Sequence, residues 1–155
     1  MISIRYATSE KADFDVFFRM HCDCEYAELP GWPTTKRAPV IKDYDMYKEE
    51  VEAEGIVFVL RKKYNSEEVE IVGYAVVSAN QHKPEACKIE ELYIDKAYQR
   101  KGFGHSAVWC IEKLAKEEGF KQLEVFSATA ATDKFWTVCG FFSLDGSDVY
   151  VRRIR

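Results

Sequence analysis

Apolar and polar residues alternate at the start of the chain. Ile2, Ile4 and Tyr6 are interleaved with Ser3 and Arg5, which predicts a short strand with one buried face. The period then lengthens: Phe14, Phe17, Phe18 and His21 recur at helical spacing behind Thr8 and Ser9, either of which can cap the helix. Leu29-Pro-Gly-Trp-Pro33 predicts a loop, followed by a second helix from about Pro39 to Ala53 that Gly55 closes. The β-branched runs Ile56 to Leu60 and Val69 to Ala79 flank Lys63 to Glu67 and read as an antiparallel hairpin, with Cys87 to Ile94 as the next strand. From Gly104 to Glu118 a helix carries Val108, Ile111, Leu114 and Ala115 on one face and ends at Gly119. Leu123 to Phe126 form another strand, Ala131 to Val138 a short helix closed by Gly140, and Phe141 to Leu144 with Val149 to Ile154 a last hairpin. No internal repeat or low-complexity linker is visible in this β-α-α-β-β-β-α-β-α-β-β order.

Bulk properties narrow the class. A chain of 155 residues with 47% hydrophobic and 31% charged residues suits one domain spanning 1–155, and no apolar run approaches the ~20 residues of a membrane span. The first residues have neither a basic nor a long apolar stretch, so a cytoplasmic location is expected. A net charge of −4 argues against nucleic-acid partners, and the basic groups at 61–63 and at Arg152, Arg153 and Arg155 read as solvated edges. Five cysteines in an intracellular chain read as free thiols. His21-Cys22-Asp-Cys24 has no matching Cys/His pair elsewhere, so no metal is expected; Cys110 and Cys139 read as packing residues lacking an adjacent His.

Chemistry concentrates between a strand end and a helix start. Gln99-Arg-Lys-Gly-Phe-Gly104 stands where the first N–H groups of a helix lack partners and its dipole favours an anion. Gly102 and Gly104 let the backbone approach a diphosphate and adopt φ > 0 if the turn requires it, while Arg100 and Lys101 add charge. This strand, Gln-x-x-Gly-x-Gly, helix arrangement resembles the acetyl-CoA site of the GNAT family of N-acetyltransferases. Phe135-Trp-Thr-Val-Cys-Gly-Phe141 is similar to that family's Phe-Tyr-x-x-x-Gly-Phe segment. The resemblance covers nearly the whole chain, is strongest from Ile89 to Phe141 and weakest in residues 10–55. It implies an α+β, single-domain GNAT fold with a mostly antiparallel twisted sheet flanked by helices.

It also implies acetyl-CoA as the acetyl donor, with its pyrophosphate on backbone N–H groups from Arg100 through Lys101, Gly102, Phe103 and Gly104 to His105, near Gln99 and Ser106. Backbone groups of Leu92, Tyr93 and Ile94 would pair with the pantetheine like an added strand. Thr129 and Thr132 stand where the family often has Asn and Ala; they could contact the cofactor or cap the short helix. Phe135 would pack against the cofactor.

Transfer to an amine needs a neutral nucleophile, hence a base. Glu90 and Glu91 are the candidates. Strand alternation sends them to opposite faces unless a bulge intervenes, and the resemblance favours Glu90. Trp136 occupies the position where the family usually has the Tyr that protonates the thiolate. Indole cannot serve as that acid, which leaves water, Tyr93, Tyr98 or Tyr150, with Trp136 at most orienting the sulfur. For the acceptor, Tyr26, Trp32, Tyr44 and Tyr47 with Asp23, Glu25, Glu28, Asp43 and Asp45 suit a small cationic amine, although acidic residues on a solvated helix face and aromatics packed on the sheet explain the same residues. A protein N-terminus is another acceptor the residues allow, and a catalytically weak acyl-CoA-binding module is the alternative to an enzyme. The hairpin from Phe141 to Ile154 could pair with a second copy in a homodimer.

Overall fold

The computed structural model describes residues 1–27, 40–53, 55–127 and 129–155, except the side chains of 25–27. Its elements are β1 (Ile2–Tyr6), α1 (Lys11–Ala27), α2 (Tyr44–Ala53), β2 (Gly55–Lys62), β3 (Val69–Asn80), β4 (Lys83–Ile94), α3 (Phe103–Glu117), β5 (Gln122–Phe126), α4 (Ala130–Val138), β6 (Phe142–Ser143) and β7 (Val149–Arg153). A single turn of 3₁₀ helix, Lys96–Tyr98, links β4 to α3. The described strands form one sheet in the order β1-β2-β3-β4-β5-β7-β6. Among the described strands only the β4–β5 pair is parallel.

Alternation along the central strands sorts the core onto the two faces of this sheet. Val57, Ala75, Val77 and Ile89 meet Val108, Ile111 and Ala115 of α3 and Trp136 of α4. The intervening residues Ile56, Phe58, Tyr74, Val76 and Tyr93 meet Phe14, Phe17 and Met20 of α1 and Tyr47 of α2. The buried face of α3 is wider than the four-residue stripe predicts, because Ala107 and Glu112 are buried too.

Several expectations need correction. The second helix starts at Tyr44, not near Pro39, because the Asp43 carboxylate accepts the Met46 N–H at 2.9 Å and sets the helix start there. Gly55 does not close that helix. It opens β2 opposite Val77, where a Cβ would stand 3.0 Å from Val77 Cγ2. β4 begins at Lys83, four residues before the predicted Cys87. The Asn80 side chain accepts the N–H groups of His82 (2.8 Å) and Lys83 (3.2 Å), making a tight turn inside a polar stretch that hides the strand. Arg152 is not a solvated edge residue: it pairs with Glu112 at 2.7 Å and donates to the Cys139 carbonyl at 3.0 Å.

The helix ends follow the glycines. Gly119 (φ +92°) and Gly140 (φ +90°) both stand one residue past a helix cap. At each, the glycine N–H bonds the carbonyl three residues back and the following N–H the carbonyl five residues back, satisfying groups a helix end would otherwise orphan.

Candidate active site

β4 and β5 are in register from Ala86↔Gln122 to Ile89↔Val125, and no pair forms beyond. From Glu91 to Ile94, β4 keeps its ladder with β3 but leaves its other edge facing a gap. A cleft of about 760 Å³ occupies this gap. Glu90, Glu91, Leu92 and Ile94 line one wall, the 99–105 turn one end, and Ala131, Thr132, Phe135 and Trp136 of α4 the other wall.

The turn is built as a cradle. Gly102 is the residue before α3 and is left-handed (φ +81°), as is Arg100 (φ +61°). Gly104 is not; it lies inside the first helical turn, so only Gly102 uses the φ > 0 freedom expected of both. What Gly104 provides is room, since a Cβ there would come within 3.3 Å of the Phe135 ring. The first intrahelical bond runs from Ser106 N–H to the Gly102 carbonyl at 3.1 Å, so the N–H groups of Phe103, Gly104 and His105 have no carbonyl within the helix. The Gln99 side chain donates to the Ile94 carbonyl at 2.7 Å and ties the turn to the strand end.

Among the other predicted cofactor contacts, Tyr93 turns its ring to the α1–α2 face, where burial pushes its hydroxyl up to about 12, and only its backbone can serve the gap. Lys101 and Ser106 do not line the cleft. Thr129 and Thr132 form a reciprocal cap: Thr129 Oγ1 accepts from Thr132 N–H (3.1 Å), and Thr132 Oγ1 accepts from Thr129 N–H (3.3 Å).

The two carboxylates share one face. Pairing steps from Val76↔Glu91 to Val77↔Ile89, which makes Glu90 the extra residue of a β-bulge. Glu90 bonds Ser78 at 3.0 Å and Lys88 at 3.4 Å. Glu91 accepts from the Tyr74 hydroxyl at 3.1 Å and lies 3.3 Å from His21 Nδ1. Ser78 and Tyr74 sit an even number of residues apart on β3, so both glutamates point to the α1–α2 side.

Trp136 is buried against Phe135 and Phe141. Of the tyrosines considered as proton donors, Tyr98 gives its hydroxyl to Glu70 at 3.0 Å, and Tyr150 faces Asp133, with burial raising its pKa. The expectation that Cys139 lacks an adjacent His fails: tertiary packing of α3 on α4 brings His105 Nδ1 to 3.7 Å from its sulfur. Burial nevertheless pushes the Cys139 thiol up to about 11, so it stays protonated and weakly nucleophilic near neutrality.

The acceptor-side aromatics that can be placed have structural partners. Tyr47 donates to the Thr8 carbonyl at 2.7 Å and Tyr44 to the Ser9 carbonyl, fastening α2 to the β1–α1 connection. Asp43 starts α2 and Asp45 pairs with Lys48, so neither converges on the cleft. Trp32 and Glu28 lie outside the described residues, as do the side chains of Glu25 and Tyr26. His21 is the residue sequence reasoning missed. The sequence offers it as half a metal site and as one residue on the apolar stripe of α1. Among the described residues no group of three or more His, Cys, Asp or Glu is arranged to hold a metal, and no helix is long and apolar enough to cross a membrane.

Comparison with known proteins places this architecture. An N-acetyltransferase, paia, from Thermoplasma acidophilum, in complex with coenzyme A, superposes with a TM-score of 0.73 at 14% identity, over 99% of both chains. A GNAT-family acetyltransferase from Staphylococcus aureus gives 0.72 at 12% identity over the whole of both chains. The N-acetylglutamate synthase of Neisseria gonorrhoeae, complexed with coenzyme A and N-acetyl-glutamate, gives 0.70 at 14% identity, over all of this chain and 35% of its own. No curated protein sequence matches the chain. The acetyltransferase (GNAT) family model matches residues 16–141, which include the splayed strands, the glycine turn and α4. The seven-stranded mixed sheet flanked by helices is the fold of that family, and the chain belongs to the GNAT family of acetyltransferases.

Proposed function

We propose that this protein transfers the acetyl group of acetyl-CoA to an amine by direct attack in a ternary complex. The observation that carries the reading is the cleft between β4 and β5, which joins free strand backbone, a helix start whose first N–H groups have no intrahelical carbonyl and the two glutamates of β4 along one continuous space. The residues present fit acetyl-CoA: a left-handed Gly102, and a Gly104 whose missing Cβ leaves Phe135 undisturbed, give a phosphate group close access to the α3 N-terminus. Bound structures of paia and of the Neisseria synthase, which hold coenzyme A, support the choice.

In this reading N–H groups from Arg100 to His105 hold the pyrophosphate, and the β4 backbone from Leu92 to Ile94 takes the pantetheine amides. Gln99 braces the turn, and Phe135 packs beside the cofactor. Acetyl-CoA supplies a thioester carbonyl as the electrophile. A glutamate of β4 takes the proton of the incoming ammonium, directly or through water; the freed lone pair forms the C–N bond as the C–S bond breaks. Trp136 shields the sulfur and cannot protonate it, so water carries to the leaving thiolate the second proton that the acetylated nitrogen sheds.

The acceptor class is a small amine, cationic at neutral pH before the base acts. Tyr26 and Trp32 are retained as proposed acceptor contacts. A second reading, an acyl-CoA-binding module with weak turnover, draws on the absence of a phenol at Trp136. The test is acetyl-CoA-dependent CoA release across polyamines, amino acids, aminoglycosides and N-terminal peptides, followed by mass spectrometry because five cysteines confound thiol dyes. Acetylated product with one class supports the transferase; tight acetyl-CoA binding without product across the panel supports the binding module.

A further inference from the structure

Beneath the two carboxylates lies a polar network inside an otherwise apolar core. His21 is buried between Phe17, whose ring stacks on it at 4.9 Å, and Tyr74. Its Nε2 is 3.2 Å from the backbone N–H of Ile41. That N–H can only donate, so Nε2 accepts and the proton of the neutral ring sits on Nδ1. Nδ1 faces the Tyr74 hydroxyl at 2.9 Å and Glu91 Oε2 at 3.3 Å, while the Tyr74 hydroxyl donates to the same Oε2 at 3.1 Å. Burial, with the Cys24 thiol and the Glu91 carboxylate alongside, holds the Tyr74 phenol far above its ordinary range, so it remains a donor. The core therefore fixes a chain in which the His21 Nδ1–H donates to the Tyr74 hydroxyl and that hydroxyl donates to one carboxylate oxygen of Glu91, with the imidazole close beside it.

Glu90 has no comparable support. Its side chain is 40% exposed, and its partners are a serine and the ammonium of Lys88, itself 44% exposed; the Glu91 side chain is 22% exposed. A base works best when its geometry is set before the substrate arrives. We infer that His21 and Tyr74 are positioning residues that aim Glu91, rather than Glu90, as the base of acetyl transfer, an inference that rests on the transferase reading above. The network also confines the proton. His21 can take a second one only on Nε2, which would break its bond from Ile41, so a proton accepted by Glu91 returns to solvent through the cleft rather than passing inward.

The test compares Glu91→Gln, Glu90→Gln and Tyr74→Phe with the natural chain, using the acceptor found by the panel. Melting temperature and acetyl-CoA affinity serve as controls for the fold. Glu91→Gln is expected to lower kcat roughly 10²- to 10⁴-fold and Glu90→Gln only about threefold or less. Tyr74→Phe keeps the buried ring and is expected to lower kcat roughly tenfold to hundredfold, with acetyl-CoA affinity and the acceptor KM little changed. A larger loss in Glu90→Gln than in Glu91→Gln, or an undiminished kcat in Tyr74→Phe, overturns the inference. Independently of activity, two-bond ¹H–¹⁵N correlations of the His21 ring should show the Nδ1–H form; an Nε2–H ring overturns the network. If the natural chain acetylates no amine, the transferase reading fails and the base role of Glu91 with it, and the ring tautomer then decides the network alone.

Discussion

The two halves of the cleft are built from different materials. On the α3–α4 side, the groups left open to the cleft are main-chain: N–H groups at a helix start, a strand edge released by divergence of β4 from β5, and a glycine with no Cβ to crowd Phe135. On the α1–α2 side, side chains from α1, β3 and β4 join in one hydrogen-bonded network around a buried histidine. A backbone site depends on local geometry and glycines, so a short motif can write it. A side-chain site depends on residues tens of positions apart, and no spacing rule announces it.

The comparison can be broken from either side. The largest effect is expected from Gly104→Val. A Cβ there would meet the Phe135 ring at 3.3 Å and Ile94 Cγ1 at 3.8 Å, and the two methyls of valine need still more room at the turn. Calorimetry should find no measurable acetyl-CoA binding while circular dichroism still reports a folded chain; unchanged affinity would remove the cradle from the cofactor site.

Phe17→Ala attacks the other half. Phe17 is fully buried, stacked on His21 and edge-on to Tyr74 at 4.8 Å. Its truncation should cost about 3–5 kcal/mol in denaturant unfolding and lower kcat, with acetyl-CoA affinity of the folded fraction preserved. A parallel loss of affinity would show that the halves are not separable.

A smaller effect is expected where α1 is tied to β1. Asp13 accepts both guanidinium nitrogens of Arg5 at 2.9 Å and the N–H and hydroxyl of Thr8 at 2.9 Å. The Arg5 hydrogen bonds, against the cost of burial, lower its pKa from 3.8 to about 2. A depressed carboxylate stabilises the fold in full above its unfolded pKa, and that contribution is lost as pH falls through the folded one. Asp13→Asn should therefore cost about 1 kcal/mol at pH 7, allowing for the solvent exposure of Arg5, and the two unfolding curves should draw together toward pH 2.

Thr129→Ala should have the smallest effect. Loss of the reciprocal cap should cost about 1 kcal/mol of stability. If capping is the whole role of Thr129, acetyl-CoA affinity stays within a few-fold; a drop of about tenfold or more, equivalent to ~1.4 kcal/mol, assigns it a cofactor contact instead.

Local physics explains what the chain made legible. The strand run of Ile2 to Tyr6, the apolar stripe of α3, and Gly119 and Gly140 past helix ends all act over a few residues, and each element lies where they point, although Tyr6 is exposed and not on a buried face. The turn from Gln99 to Gly104 belongs with them, because a helix start needs only its own backbone to attract an anion. Elements whose limits depend on one side chain were misread: Asp43 shortened α2, and Asn80 made the turn that lengthened β4.

Tertiary structure decided the rest. Alternation predicts opposite faces for Glu90 and Glu91 unless a bulge forms, and the bulge depends on how β3 and β4 pair across more than ten residues. His21 reads as one more residue on an apolar stripe until β3 delivers Tyr74, β4 delivers Glu91 and the approach to α2 delivers the Ile41 N–H. Cys139 likewise gains His105 as a neighbour only when α3 packs against α4. The sequence by itself determined the elements and the backbone cradle, because hydrogen bonding and side-chain period act locally. Which carboxylate is held, and by what, was decided only where separate elements bury their polar groups against one another.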